Sequence, residues 1–274
     1  MTPLLSARDL KTHFPVTGGL WKRTLSHVRA VDGVSLGVFP GEVVALVGES
    51  GCGKSTLGYS LLGLTLPTSG EVELLGKRID ITNASSWKSY RRDFQIVFQD
   101  PYTSLNPRLT VFELLAEPLR VHGLVPAAGL RDAVAELLRQ VGLPTDAMDR
   151  FPHAFSGGQR QRLCIARALG LRPKLIVCDE VVSALDVSVQ AQIVRLLLDL
   201  KREHGLALLF ITHDLSLVRA IADRVLVMHA GKIVEEGPTE EIFASPREEY
   251  TKTLLAAVPR MEKRTTPNTS PAGT

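Results

Sequence analysis

The chain has 274 residues, 45% of them hydrophobic and 22% charged, which suits a globular protein with a sizeable core and excludes a disordered one. The formal net charge of +3 gives no ground for nucleic acid as the main partner. Three cysteines, Cys52, Cys164 and Cys178, lack paired spacing, so a reducing compartment is expected rather than a disulfide framework or a structural zinc site.

Arg8, Asp9 and Lys11 fall too early for a secretory apolar segment. No apolar run approaches the ~18–20 residues of a membrane helix, so any membrane role is expected to be peripheral. Residues 1–40 and 71–81 read as short alternating strands with glycine breaks, an antiparallel sheet beside the core. The runs 43–47, 94–98, 175–178 and 208–211 are short, β-branched or aromatic and not alternating, as strands of a parallel sheet covered on both faces are. Residues 100–170 hold helices and no convincing strand, which predicts a helical lobe inserted into the core. Within it Leu130, Val134, Leu137, Leu138 and Val141 repeat at helical spacing before Gly142. Residues 188–204 form a second such helix, ending at Gly205. The runs 225–228 and 232–236 flank Gly231 and predict a hairpin. Residues 261–274 are rich in Thr, Pro, Ser and Asn and are expected to be disordered.

Residues 48–56, GESGCGKST, fill the pattern GxxxxGK[ST] directly after one strand and before a helix. Gly48, Gly51 and Gly53 let the backbone curl so that N–H groups, including those near Ser50 and Thr56, point at phosphate oxygens. The helix adds the positive end of its dipole. Lys54 would neutralise the β- and γ-phosphates, and Ser55 would hold Mg²⁺ through its hydroxyl. Cys52 lies inside the loop, where a positive field is expected to lower its thiol pKa. The run KLIVCDE ends in Asp179, a Mg²⁺ ligand through water, and Glu180, which could orient or deprotonate the attacking water. Gln99 ends another run and could sense Mg²⁺ or that water. His213 and Asp214 follow a fourth; His213 could reach the γ-phosphate, while Asp214 could as well be a helix cap. Ligands of open α/β sheets sit at the carboxyl ends of strands, so the joint placement points to one nucleotide site. Residues 155–169, FSGGQRQRLCIARAL, offer a second anion site: a serine, two glycines and a helix start.

With these motifs in place, the chain resembles the ATP-binding subunits of ABC transporters over residues 4–260, with a helical subdomain at about 100–170. Residues 48–56 match the Walker A motif, Gln99 the Q-loop, and Ser156 to Gln159 the signature LSGGQ, with Phe155 in place of its leucine. Residues 175–180 match Walker B, 183–186 (SALD, with Asp186) the D-loop, and His213 the switch histidine. The resemblance implies an α/β P-loop NTPase core, a parallel sheet flanked by helices, with an N-terminal antiparallel β subdomain and an inserted helical one. It implies ATP and Mg²⁺ as ligands, and a two-chain sandwich in which Ser156, Gly158 and Gln159 of one chain close over ATP on the other. It implies that Glu180 activates water, His213 aligns the γ-phosphate, and Gln99 couples the site to the membrane subunit. Phe14 falls where the family places an adenine-stacking aromatic, beside an insertion at 15–26; a core position in the antiparallel sheet is the competing reading.

The wording VFQDPYTSLNPRLTV and SPREEYTKTLLAAVP is similar to oligopeptide/dipeptide importer ATPases, whose relatives handle nickel, glutathione and other small peptides. The partners implied are transmembrane permease subunits, an identical or paralogous second ATP-binding subunit and, indirectly, an extracytoplasmic solute-binding protein, with no nucleic acid. The place implied is the cytoplasmic face of the cell membrane. A soluble ABC-type ATPase acting on nucleic acid or ribosomes is the alternative. Val181 stands where members usually have proline. Many members carry a cysteine-containing C-terminal segment; none is seen before Thr274, so no iron–sulfur cluster and no extra gating domain are expected.

Overall fold

The computed structural model describes residues 2–18 and 23–257. Strands β1 (Leu5–Gly18) and β2 (Arg23–Val38) form an antiparallel pair. Then come β3 (Val43–Val47) and α1 (Lys54–Leu61). Strands β4 (Ser69–Leu74) and β5 (Lys77–Ile79) return to the first pair, giving an antiparallel sheet of order β2-β1-β4-β5. Helix α2 (Ala84–Lys88) leads to β6 (Phe94–Val97). The helical lobe follows: α3 (Pro101–Ser104), α4 (Val111–Val121), α5 (Leu130–Gln140) and α6 (Gly157–Leu169). The chain then alternates through β7 (Leu175–Asp179), α7 (Val187–His204), β8 (Ala207–Ile211) and α8 (Leu215–Ile221). It closes with the hairpin β9 (Arg224–His229) and β10 (Lys232–Pro238), then α9 (Thr239–Ala244) and α10 (Glu249–Ala256).

The second sheet has order β10-β9-β3-β8-β7-β6, parallel throughout except for β10. Every residue of β3, β7 and β8 is buried, the reason these runs are continuously apolar. One apolar cluster lies on the side of the helical lobe, and another lies between α1 and the antiparallel sheet. Helix α7 ends at Gly205, whose φ of 65° is the left-handed stop expected there. The tail expected at 261–274 lies outside the described residues.

The N-terminal region departs from the expected short strands. The first two strands run 14 and 16 residues, and the insertion at 15–26 extends their pairing as far as Gly18 opposite Arg23. Register shifts beside Leu10, Thr12 and Val16 break the alternation that a sequence pattern relies on.

Arg224 ties the two sheets together. Its guanidinium donates to both carboxylate oxygens of Glu42, at 2.7 and 3.1 Å, to Glu236 and to the carbonyl of Gly37 at the end of β2. The two side chains are only 17% and 15% exposed, so truncating one strands the other's charge. Arg224→Ala is expected to cost about 3 kcal/mol and lower the urea midpoint, with Arg224→Lys recovering only part. An unchanged midpoint in Arg224→Ala would show that the network does not hold the sheets.

Candidate functional site

The phosphate loop starts where β3 ends and closes at Gly53, which caps α1 with φ 111°. A Cβ at Gly48 would sit 2.2 Å from the Met228 carbonyl oxygen, and one at Gly53 would sit 1.9 Å from that of Ala30. Both positions therefore demand glycine. Gly51, with φ 80°, faces open space. Lys54 is buried, and its ammonium donates to the Gly48 and Glu49 carbonyls at 2.8 and 2.7 Å across the loop. The backbone N–H groups of Ser50, Gly51, Gly53, Ser55 and Thr56 have no hydrogen-bond partner among the described residues. A loop of free N–H donors at a helix start is the donor set an oligophosphate fits.

Ser55 and Tyr59 lie one turn apart on α1 and meet the same carboxylate. Ser55 donates to Asp179 Oδ1 at 2.9 Å and Tyr59 to Oδ2 at 2.7 Å. Burial and then the charge and hydrogen bond of Asp179 push the Tyr59 phenol well above its ordinary range, so it stays a donor. One buried carboxylate beside a hydroxyl suits Mg²⁺ completed by phosphates and water. Among the described residues no group of three His, Cys, Asp or Glu forms a metal cage of its own.

Glu180 follows Asp179 with φ 48°, a left-handed conformation costing about 1–3 kcal/mol in a non-glycine residue. Its amide bonds the Ile211 carbonyl at 2.9 Å, and its own carbonyl is bonded by Ser183. His213 Nδ1 stands 3.4 Å from Glu180 Oε1. Asp214 is the cap of α8, accepting from Ser216 and Leu217, which settles its two readings in favour of the cap. Gln99 is exposed two residues beyond β6. Val181 is buried in the main apolar cluster, so packing holds the turn where the resemblance leads one to expect a proline.

Ser156, Gly158, Gln159 and Asp186 form a second group. Ser156 caps α6 in a reciprocal capping box with Gln159, each side chain bonding the other's amide. A Cβ on Gly158 would lie 2.4 Å from Val189 Cγ1, so the start of α6 packs on the start of α7, where Asp186 is the exposed N-cap residue. Among the described residues no hydrogen bond joins this group to residues 48–56.

Phe14 is 41% exposed on β1, opposite Val28 at 55%. The core reading therefore falls. Val28 lies two residues from Ala30, whose carbonyl abuts Gly53. Cys52 corrects another expectation. Burial raises its thiol pKa and outweighs the Lys54 ammonium 3.8 Å away. Three residues escaped the motif reading. Tyr59 was detectable from its four-residue spacing to Ser55. Gln161 is fully buried on α6 and donates to the Phe98 carbonyl at 3.3 Å, next to Gln99. Tyr250 on α10 accepts from the Glu49 amide at 3.0 Å, and nothing local in the sequence signals it.

Residues 31–183 match the family model described as "ABC transporter". Residues 234–274 match the one described as "Oligopeptide/dipeptide transporter, C-terminal region". The glutathione import ATP-binding protein GsiA of Escherichia coli (strain K12) is 52% identical over 260 residues, covering 95% of this chain and 42% of that protein. GsiA of Salmonella typhi is 52% identical over 257 residues, covering 94% and 41%. The chain thus spans less than half the length of these relatives. Among solved structures, cbiO1 from Clostridium perfringens, part of the ABC transporter complex cbiONQ, superposes with a TM-score of 0.76 at 29% identity, covering 89% of this chain and 92% of its own. The dimeric post-hydrolysis state of the ATP-binding cassette MJ0796, bound to ADP and Pi, gives 0.75 at 29% identity, covering 86% and 98%. No helix among the described residues is long and apolar enough to cross a membrane. The glycine-walled loop, the Asp179–Glu180 strand end and these matches agree: the chain belongs to the ABC transporter family.

Proposed function

We propose that the chain binds and hydrolyses ATP at the carboxyl edge of its parallel sheet and so drives an importer from the cytoplasmic face of the membrane. The cargo is a dipeptide or oligopeptide, or a related small solute such as nickel or glutathione. The observation that carries the reading is the carboxylate pair: Asp179 is reached by the hydroxyl of Ser55 on the loop helix, and Glu180 beside it faces His213.

The loop amides and Lys54 bind the phosphates, and Phe14 with Val28 offers an apolar face to adenine. Ser55 and Asp179 would hold Mg²⁺, which supplies charge neutralisation of the phosphates. Glu180 accepts a proton from the water that attacks the γ-phosphorus, the bond to the ADP oxygen breaks, and phosphate leaves. His213 keeps Glu180 aimed and reaches the γ-phosphate, and Gln99 orients water or Mg²⁺. Ser156, Gly158 and Gln159, with Asp186, complete the site of a second ATP-binding chain, identical or paralogous, since they lie apart from the chain's own loop. A groove of about 410 Å³ beside Gln99, lined by Leu62, Leu64, Phe94, Phe98 and Val121 among others, supports docking of a transmembrane permease between core and helical lobe. A solute-binding protein outside the membrane would then deliver the cargo.

Glu180→Gln removes the proton acceptor while keeping shape. Turnover is expected to fall at least ~100-fold with ATP affinity retained, read by phosphate release and equilibrium binding. Normal turnover would take Glu180 out of its role.

The raised thiol pKa leaves Cys52 mostly protonated at neutral pH, and its thiolate appears only as pH climbs past the ordinary thiol value. Carbamidomethylation at pH 7.5, followed by mass spectrometry, is expected to be slower than for the same cysteine in the unfolded chain, and slower again with ATP. Faster labelling in the folded chain would reverse the assigned cause.

A further inference from the structure

The phosphate loop is held from outside by the C-terminal part of the chain. Its outward turn runs from Glu49 to Cys52, closed by a weak bond from the Cys52 amide to the Glu49 carbonyl at 3.3 Å. Both ends of that turn are gripped. The Gly231 amide, in the turn between β9 and β10, donates to the Cys52 carbonyl at 2.9 Å. The Glu49 amide donates to the Tyr250 hydroxyl at 3.0 Å. Tyr250 is itself fixed, since its ring lies 4.0 Å from that of His229 at the end of β9. The start of α10 is anchored by the Arg247 and Glu248 amides, which donate to the two carboxylate oxygens of Glu235 at 2.8 and 3.1 Å. Tyr250 and its helix neighbours pack on the cluster containing Val47, the last residue before the loop.

We propose that Tyr250 is a positioning residue for nucleotide binding: α10 braces the phosphate loop through the Tyr250 hydroxyl, so the C-terminal segment and the loop respond to one another. A loop already held in its binding shape loses less freedom when phosphates arrive, so the brace favours affinity rather than the chemical step. The coupling is reciprocal: a ligand that fixes the loop must also steady α10. The proposal rests on residues 48–56 being the phosphate loop.

Tyr250→Phe in the full chain tests it, because phenylalanine keeps the ring on His229 and loses only the hydroxyl. The expected result is about fivefold weaker binding of a fluorescent ATP analogue with Mg²⁺, the effect of one hydrogen bond, with kcat at saturation unchanged and the unfolding midpoint lowered only slightly. Hydrogen exchange of residues 249–256 in the wild type is expected to slow when nucleotide binds, and not to slow in the variant. Affinity within twofold of wild type, or exchange in 249–256 indifferent to nucleotide in the wild type, overturns the brace while leaving the loop assignment standing. If the wild type itself binds no nucleotide, the loop assignment falls and the brace with it.

Discussion

Gly48 and Gly53 leave no space for a Cβ, because carbonyl oxygens of Met228 and Ala30 stand 2.2 and 1.9 Å from where one would be. The loop between them is therefore wedged between the central sheet at β9 and the antiparallel sheet at β2. Its shape depends on how those sheets dock, not only on its own glycines. The docking is specific: Arg224 of β9 reaches Gly37 and Glu42, and the hydroxyls of Thr12 on β1 and Ser60 on α1 meet at 2.8 Å. The antiparallel sheet thus abuts the loop at Ala30.

Strand order does the rest. With β3, β8, β7 and β6 parallel and adjacent, their carboxyl ends share one edge, and β3 stands where the connections turn in opposite directions. The loop, His213, the Asp179–Glu180 pair and Gln99 reach that edge from four different strands. Glu180 pays for its place with a left-handed backbone, the kind of strain that persists where surrounding structure fixes it. In the proposed function the phosphate loop and the capped start of α6 are two anion-binding surfaces on one chain, and among the described residues no hydrogen bond joins them. That separation is the structural reason to think in terms of two chains.

Much of this was legible in the residues. The buried parallel strands announced themselves as continuous apolar runs, and both glycine stops and the Ser156 cap fell where local chemistry put them. What was not legible depended on distance. The long β1–β2 hairpin was hidden because register shifts break its alternation. The Cys52 thiol was misjudged because the sequence displays Lys54 but not the burial that outweighs it. Tyr59 lay in a detectable pattern, one turn from Ser55. Gln161 and Tyr250 matter only through contacts made across the fold, 63 residues away to Phe98 and 201 to Glu49, and no local rule reaches that far.

In the proposed function one chain carries two halves of a nucleotide site, each completed by another chain. The most direct measurement is ATP turnover per chain as protein concentration is varied, with the mass of the species determined under the same MgATP conditions, alone and with a paralogous ATP-binding chain. The account predicts turnover only in species containing two ATP-binding chains. Full turnover per chain in a species that remains a monomer would contradict it.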